Sequence, residues 1–376
     1  MDYLVIGSGV AGISAVKELI KKKNKKDKIT VVSKEKYPFY YRPRLIEYLS
    51  GEVDIDDIII NDKNWFEKNN INLNLEEKVI NIIPEKKKVI SEKNRYKYDK
   101  LLLANGAHCF VPPIKGTDRE NVFTLRNAED AEKIYKSAIE KEKAIVIGGG
   151  LLGLESAYNL SQAGLDVTVM ERGSYLLNRQ LDKKGAKTLQ NKLENKGLNF
   201  VLNASTEQIK KKANNLEVII SEKGEYSAGL VLLSTGVRSN ISLVKDTDIE
   251  VNKGIIVDEN MKTNFKDIYA AGDVAEYNGK VYGIWPPSMK QGKVAGKNMM
   301  GTGSKFDGYV SSYSLKVAGV SLVSKGIIDD EGYKSETTKE NGKYKKIIWK
   351  DDKIIGIILI GDFDDKNQLI SKVENI

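Results

Sequence analysis

YLVIGSGVAGISAVKEL, residues 3–19, and AIVIGGGLLGLESAYNL, residues 144–160, are one pattern written twice. Each is an apolar run, a Gly-x-Gly-x-x-Gly turn, and a helical segment with small residues on its inner face. The glycines are Gly7, Gly9 and Gly12 in the first copy and Gly148, Gly150 and Gly153 in the second. In each set the first glycine makes the tight turn, the second lets the backbone approach a pyrophosphate, and the third lets the helix pack closely on the strand. Free N–H groups and the dipole at the helix start then hold phosphates. A single such turn is weak evidence, because glycines occur in many tight strand–helix connections. Here both copies follow a strand, precede a helix and lead to a second strand, at Ile29–Val32 and at Val167–Met170. Two dinucleotide sites in two α/β nucleotide folds follow.

The residue that ends the second strand bears on the ribose. In the second copy it is Glu171, 18 residues after Gly153. A carboxylate there accepts hydrogen bonds from both ribose hydroxyls and repels a 2′-phosphate, which favours NADH over NADPH. Arg172 follows directly and softens that preference. In the first copy the strand ends at Ser33, with Lys34 and Glu35 after it. Ser33 or Glu35 serves the ribose there, or Glu35 is a solvated surface acid.

Composition narrows the class. A chain of 376 residues, 41% hydrophobic and 30% charged, is a folded protein of two or three domains. The apolar run Tyr3–Ile6 is too short for a signal peptide and lacks a basic leader, and no stretch reaches membrane-spanning length, so a cytoplasmic protein without membrane attachment is expected. One cysteine, Cys109, and one histidine, His108, exclude an internal disulfide, a thiol pair and a His/Cys metal site, so no metal is expected. Redox chemistry must then come from an organic cofactor. The formal charge of +8 is either a lysine-biased solvated surface or an attraction to an acidic partner. No recognised nucleic-acid motif accompanies it.

A third motif, TNFKDIYAAGDVA at 263–275, is read as a strand ending in Ala-Gly-Asp and running into a helix start. Gly272 allows close backbone approach, and Asp273 offers a short carboxylate for a sugar-like hydroxyl. With this motif the chain resembles the two-dinucleotide flavoprotein reductases of the pyridine nucleotide–disulfide oxidoreductase superfamily. LLLANGA at 101–107 and LLSTGVRSN at 232–240 resemble that group's crossovers between FAD and NAD domains, although Asn105 stands where Thr or Ser is usual. The resemblance implies two Rossmann-like domains and a small α+β C-terminal domain. The FAD domain comprises residues 1–112 and 237–300, the inserted NAD domain 113–236, and the C-terminal domain 301–376.

PFYYRPRLIEYLSG at 38–51 is similar, within the superfamily, to the NADH:rubredoxin oxidoreductase family. It has no cysteine, unlike the disulfide reductases and the related NADH oxidases. The resemblance implies that Asp273 binds the ribityl chain of FAD and that Arg42 lies near its pyrophosphate. It also places the helix of WPPSMKQGKVAGKNMMG (285–301), with Gln291, against the flavin pyrimidine. By its residues that segment reads as a helix capped at Ser288, with Gln291 three positions on completing a capping box, and running through Gly296. Glu155, two positions after Gly153, corresponds to a glutamate near the nicotinamide–flavin contact that often pairs with a lysine. Ile46-Glu47 replaces the usual Ser-Lys, so Arg44 is expected to be the partner of Glu155.

Beyond 301 the chain reads as strands: YSLKVAGVSLVSKG, then KYKKIIWK and KIIGIILIGD joined through Asp351-Asp352 as a hairpin, then a short helix NQLISKVEN. This domain shapes a partner face, covers an apolar surface or forms a dimer contact; the oligomeric state stays open. The resemblance implies an FAD-dependent NADH reductase that passes single electrons to a small redox carrier, rubredoxin, whose acidic character suits the +8 charge. The alternatives are a reductase component for nitrite reduction, an NADH oxidase or diaphorase, and a redox-responsive FAD/NAD-binding module.

Overall fold

The computed structural model describes residues 1–374, with side chains for all of them but Lys316. The chain divides into two compact units: Met1–Arg42, Ile55–His108 and Val237–Tyr309 form the first, and Pro43–Asp54, Cys109–Gly236 and Val310–Ile376 the second. Among the described residues no helix is long and apolar enough to cross a membrane.

The first unit is built on a five-stranded sheet, in the order Ile268–Ala270, Lys100–Leu103, Asp2–Ile6, Lys28–Val32, Ile71–Asn74. All four pairings are parallel. Runs such as Tyr3-Leu4-Val5-Ile6 are buried throughout, as a parallel sheet covered on both faces requires. Ile6 lies opposite Val32 and Leu103, and Leu103 opposite Ala270. Gly7, Ser33, Ala104 and Ala271 therefore emerge together at the carboxyl edge, where open α/β sheets bind ligands.

Two helices pack on this sheet, Val10–Lys22 and Trp285–Met299. Their approach is set by missing side chains. A Cβ on Gly292 would lie 2.1 Å from the Ala11 carbonyl oxygen, and one on Gly296 would lie 2.5 Å from that of Ala15.

Two expectations about this unit are corrected. The helix of 285–301 does not begin at a Ser288 cap. It starts at Trp285 with Ile284 as N-cap, places Pro286 and Pro287 in its first turn, and continues past Gly296 to Met299. Proline is tolerated there because the first-turn N–H groups have no intrahelical acceptor. The Asp273 turn does not open a helix either. Ala275 N–H returns to the Gly272 carbonyl at 2.9 Å, and Ala275–Tyr277 becomes a strand paired with Ile255–Val257.

The second unit repeats the parallel sheet in the order Val122–Thr124, Leu230–Leu233, Lys143–Ile147, Asp166–Glu171, Asn199–Leu202. A three-stranded antiparallel sheet, Thr206–Ala228, follows. The same unit holds an antiparallel five-stranded sheet, in the order Ser312–Val317, Val320–Gly326, Lys353–Ile360, Lys343–Lys350, Lys334–Glu340. Its hairpin turns at Asp351-Asp352 with Asp351 left-handed at φ +52°, and the helix Lys366–Lys372 follows, both as the sequence suggests. The helix Lys183–Glu194 packs against the strands Lys343–Lys350 and Lys353–Ile360.

Gly292→Val is expected to lower the thermal unfolding midpoint, since overpacking a tight contact costs about 1–3 kcal/mol. Lys293→Val, exposed on the same helix, should move it little; equal midpoints for the two variants would refute the close-contact account.

Candidate functional site

The glycine turn of the first unit has the geometry its spacing implies. Gly7 sits at φ +108°, and a Cβ there would lie 2.2 Å from the Ala104 carbonyl oxygen. A Cβ on Gly12 would lie 2.1 Å from the Gly7 oxygen, whereas one on Gly9 would meet nothing within 4 Å. Gly9 caps the Val10–Lys22 helix without a side-chain hydrogen bond, so the first-turn N–H groups face an open approach suited to phosphate.

Around this turn the polar residues form a linked set. Ser8 Oγ donates to Ser33 Oγ at 2.8 Å, both side chains being buried. Ser33 is thus spent on bracing the turn. Glu35 accepts from the Tyr40 hydroxyl at 2.5 Å and from Arg42 Nη2 at 2.8 Å. Burial alone would push the Glu35 carboxyl up, but the Arg42 charge and these two hydrogen bonds outweigh it and hold the group below its ordinary value. Burial would likewise lower Arg42, yet Glu35, Tyr40 and Asp273 keep it raised. Asp273 therefore lies within the field of Arg42, although the two are far apart in sequence.

Asp273 is oriented from two sides. Ser288 Oγ donates to its Oδ1 at 3.2 Å, and its backbone carbonyl accepts from Ser239 Oγ at 2.7 Å. Gln291 accepts from the Gly272 N–H through Oε1 at 2.9 Å, while its Nε2 is buried with no hydrogen-bond partner among the described residues. An unsatisfied buried amide costs about 1–3 kcal/mol. A polar ligand against Gly272 and Gln291 would relieve that cost. These residues fit a dinucleotide bearing a polar ring.

The second unit carries the matching turn. Gly148 sits at φ +119°, a Cβ on it would lie 2.2 Å from the Ser234 carbonyl oxygen, and one on Gly153 would lie 2.0 Å from the Gly148 oxygen. Gly150 again has nothing within 4 Å. Glu171 reaches back over the turn and accepts from the Gly149 N–H at 2.7 Å and the Gly173 N–H at 2.6 Å. Each carboxylate oxygen keeps a further lone pair for a ribose hydroxyl. Arg172 is exposed.

Glu155 lies on the helix Leu151–Gln162, and its carboxylate makes no hydrogen bond or ion pair among the described residues. Burial, reinforced by the like charge of Glu47, pushes its carboxyl up to about 7. The expected Arg44–Glu155 pair is not formed. Arg44 instead binds Glu47, with Nη2–Oε2 at 2.6 Å and Nε–Oε2 at 2.7 Å. The reason is local: the two residues are three apart at the short helix Leu45–Tyr48, within reach of one another.

The supporting roles of Ser8, Tyr40 and Ser288 leave no mark in chain spacing. The same holds for Asn105 and Asn240, whose amides each donate to the other's backbone carbonyl, at 2.9 and 2.7 Å. Chain spacing carries no signal for such pairs.

The family described as pyridine nucleotide-disulphide oxidoreductase matches residues 1–295. The chain belongs to this family. The rubredoxin NAD+ reductase C-terminal domain matches residues 312–375. Nitrite reductase [NAD(P)H] of Bacillus subtilis is 37% identical over 378 residues, 99% of this chain and 47% of that protein. NADH-rubredoxin oxidoreductase of Clostridium acetobutylicum is 36% identical over 362 residues, 96% of this chain and 90% of that protein. The crystal structure of NADH:rubredoxin oxidoreductase from Clostridium acetobutylicum superposes with a TM-score of 0.85 at 34% identity, covering 99% of this chain and 94% of that one. The chain spans about half the length of two curated Bacillus subtilis relatives, 47% and 49%. NADH stands in the name of the Clostridium acetobutylicum relative and NAD(P)H in that of the Bacillus subtilis nitrite reductase, and FAD and NADH are the cofactors of the family.

Because the Glu155 carboxyl is raised from 4.5 to about 7, the folded state favours its protonated form. Its contribution to stability is complete below 4.5 and is lost as pH rises through about 7. Glu155→Gln should flatten the stability–pH curve across that window. Glu47→Gln should bring the Glu155 titration down and Arg44→Ala should send it higher, read by carboxyl-carbon NMR. No movement in either variant would refute the like-charge account.

Proposed function

We propose that this chain is an FAD-dependent NADH reductase that delivers electrons singly to a small redox carrier, with rubredoxin as the acceptor. The observation that carries the reading is the paired glycine turns, each open at its middle glycine, joined in one chain to a C-terminal domain of the rubredoxin reductase type. Bound FAD supplies the chemistry that side chains lack, taking up two electrons as a hydride from NADH and releasing them one at a time.

On this reading the first unit holds FAD. Gly7, Gly9 and Gly12 admit its pyrophosphate, with the helix start and Arg42 offering positive charge. Glu35 serves the adenosine ribose more readily than Ser33, whose hydroxyl is already engaged by Ser8. Asp273, oriented by Ser288, takes the ribityl hydroxyls, and Gln291 donates its unused amide N–H to the flavin ring. The second unit holds NADH, with Gly148, Gly150 and Gly153 at the pyrophosphate and Glu171 at the ribose. Glu155, half protonated near neutral pH, limits negative charge where the nicotinamide is handled. Arg44 acts through Glu47 by restraining the like charge that raises Glu155.

A second reading is favoured by the nitrite reductase relatives, which are about twice as long as this chain. In it the chain is a reductase component serving a separate nitrite-reducing partner.

Anaerobic stopped-flow tests both. NADH should bleach the flavin within turnover time, and adding oxidised rubredoxin should restore its colour rapidly, with a rate that falls as salt is added because the docking is electrostatic. Reoxidation by oxygen alone, or only with a nitrite-reducing partner, would reject rubredoxin. Bleaching far slower than turnover would reject the enzyme reading in favour of a sensor.

A further inference from the structure

The loop 172–182 joins Glu171 to the helix Lys183–Glu194, and its two ends are held by different parts of the second unit. At its start, Glu171 accepts from the N–H groups of Gly149 and Gly173. Leu177 N–H donates to the Gly149 carbonyl at 3.2 Å. Leu176 is buried, and a Cβ on Gly149 would lie 2.7 Å from its Cδ2. The loop thus lies against the turn that carries Gly148 and Gly150.

At its end, Asp182 caps the following helix through Oδ1, which accepts from the Gly185 N–H at 2.8 Å. The other oxygen, Oδ2, faces the C-terminal sheet. It accepts from the Tyr344 hydroxyl at 2.5 Å and lies 3.3 Å from Lys346 Nζ. Both partners stand on the interior strand Lys343–Lys350. Tyr344 is fully buried, and a Cβ on Gly185 would lie 3.2 Å from its ring. Lys346 is 4% exposed and also pairs with Asp330 at 2.9 Å. A buried lysine between two carboxylates is a weak source of net stability, since desolvation offsets most of the attraction. It is a strong source of geometry, because removing either partner leaves a buried charge unmatched.

We infer that the C-terminal domain sets the NADH-binding loop: Tyr344 and Lys346 are positioning residues that hold Asp182, and through it loop 172–182 and Glu171, in the arrangement that receives the adenosine ribose. The inference rests on the reading of Gly148–Glu171 as the NADH site. It gives the C-terminal domain a task apart from any partner face. Because binding and loop order are linked, the bound nucleotide must in turn tighten the Asp182 contact.

The test uses FAD-loaded protein and NAD+ as the probe, with dissociation constants from calorimetry and loop order from amide hydrogen exchange. Tyr344→Phe removes one hydroxyl and keeps the packing. Asp182→Ser keeps a helix cap and withdraws the carboxylate from Tyr344 and Lys346. Each is expected to weaken NAD+ about fivefold, the lower end of ordinary coupling between sites. Exchange should rise in residues 172–182, and the ratio of NAD+ to NADP+ affinity should fall, because Glu171 is the group losing its alignment. A merely structural role would lower the unfolding midpoint and leave that ratio unmoved, which overturns the inference. Glu171→Ala separates the two levels. Weakened NAD+ in Glu171→Ala with unchanged affinity in both other variants rejects the loop-setting role alone. Unchanged affinity in all three rejects the NADH reading together with it.

Discussion

The constraint on which the structure depends is backbone contact at the glycine turns. The third glycine of each motif stands so close to the carbonyl of the first that a Cβ would come within 2.1 Å in one unit and 2.0 Å in the other. That proximity lets the helix lie directly on its strand and aims its N–H groups over the carboxyl edge of the sheet. The first-unit helix is then approached along Ala11 and Ala15 by Gly292 and Gly296, again backbone against backbone. Ala11 and Ala15 are small for the same reason. The helix is thus held at Ala11, Gly12 and Ala15 without large side chains, and nothing lies within 4 Å of a Cβ built on Gly9 at its start.

On that frame, glutamates acquire opposite characters from their surroundings. Glu35 is held ionised by Arg42 and Tyr40 despite burial, whereas Glu155 is raised to about 7 by burial and the neighbouring charge of Glu47. Glu171 spends its carboxylate on the N–H groups of Gly149 and Gly173, which align it with no cation paired to it among the described residues. The first is suited to anchoring, the second to adjusting charge near neutral pH, and the third to recognising hydroxyls.

How legible these features were depends on how local their causes are. The turns, the strands beside them, the Asp351-Asp352 hairpin and the Lys366–Lys372 helix follow from patterns a few residues long. Ser288 and Gln291 carry a capping spacing but do not cap the helix, because Ser288 shares its one hydroxyl proton between Asp273 and the Ile284 carbonyl, and Gln291 accepts from Gly272. Each side chain thus has a partner remote in sequence, Asp273 for Ser288 and Gly272 for Gln291. The strand Lys334–Glu340 is not legible in the sequence because nearly all of it is exposed, so no apolar alternation marks it.

The amino-acid order by itself determined the two nucleotide folds, their glycines, the carboxylate at Glu171 and the lack of a thiol pair, because each rests on backbone freedom or residue type. The folded chain decided the pairings: Arg44 with Glu47 rather than Glu155, Ser288 with Asp273, and Tyr344 and Lys346 with Asp182. Charges and hydroxyls choose partners by distance and burial, and for residues as far apart as 182 and 344 those quantities exist only once the sheets have assembled.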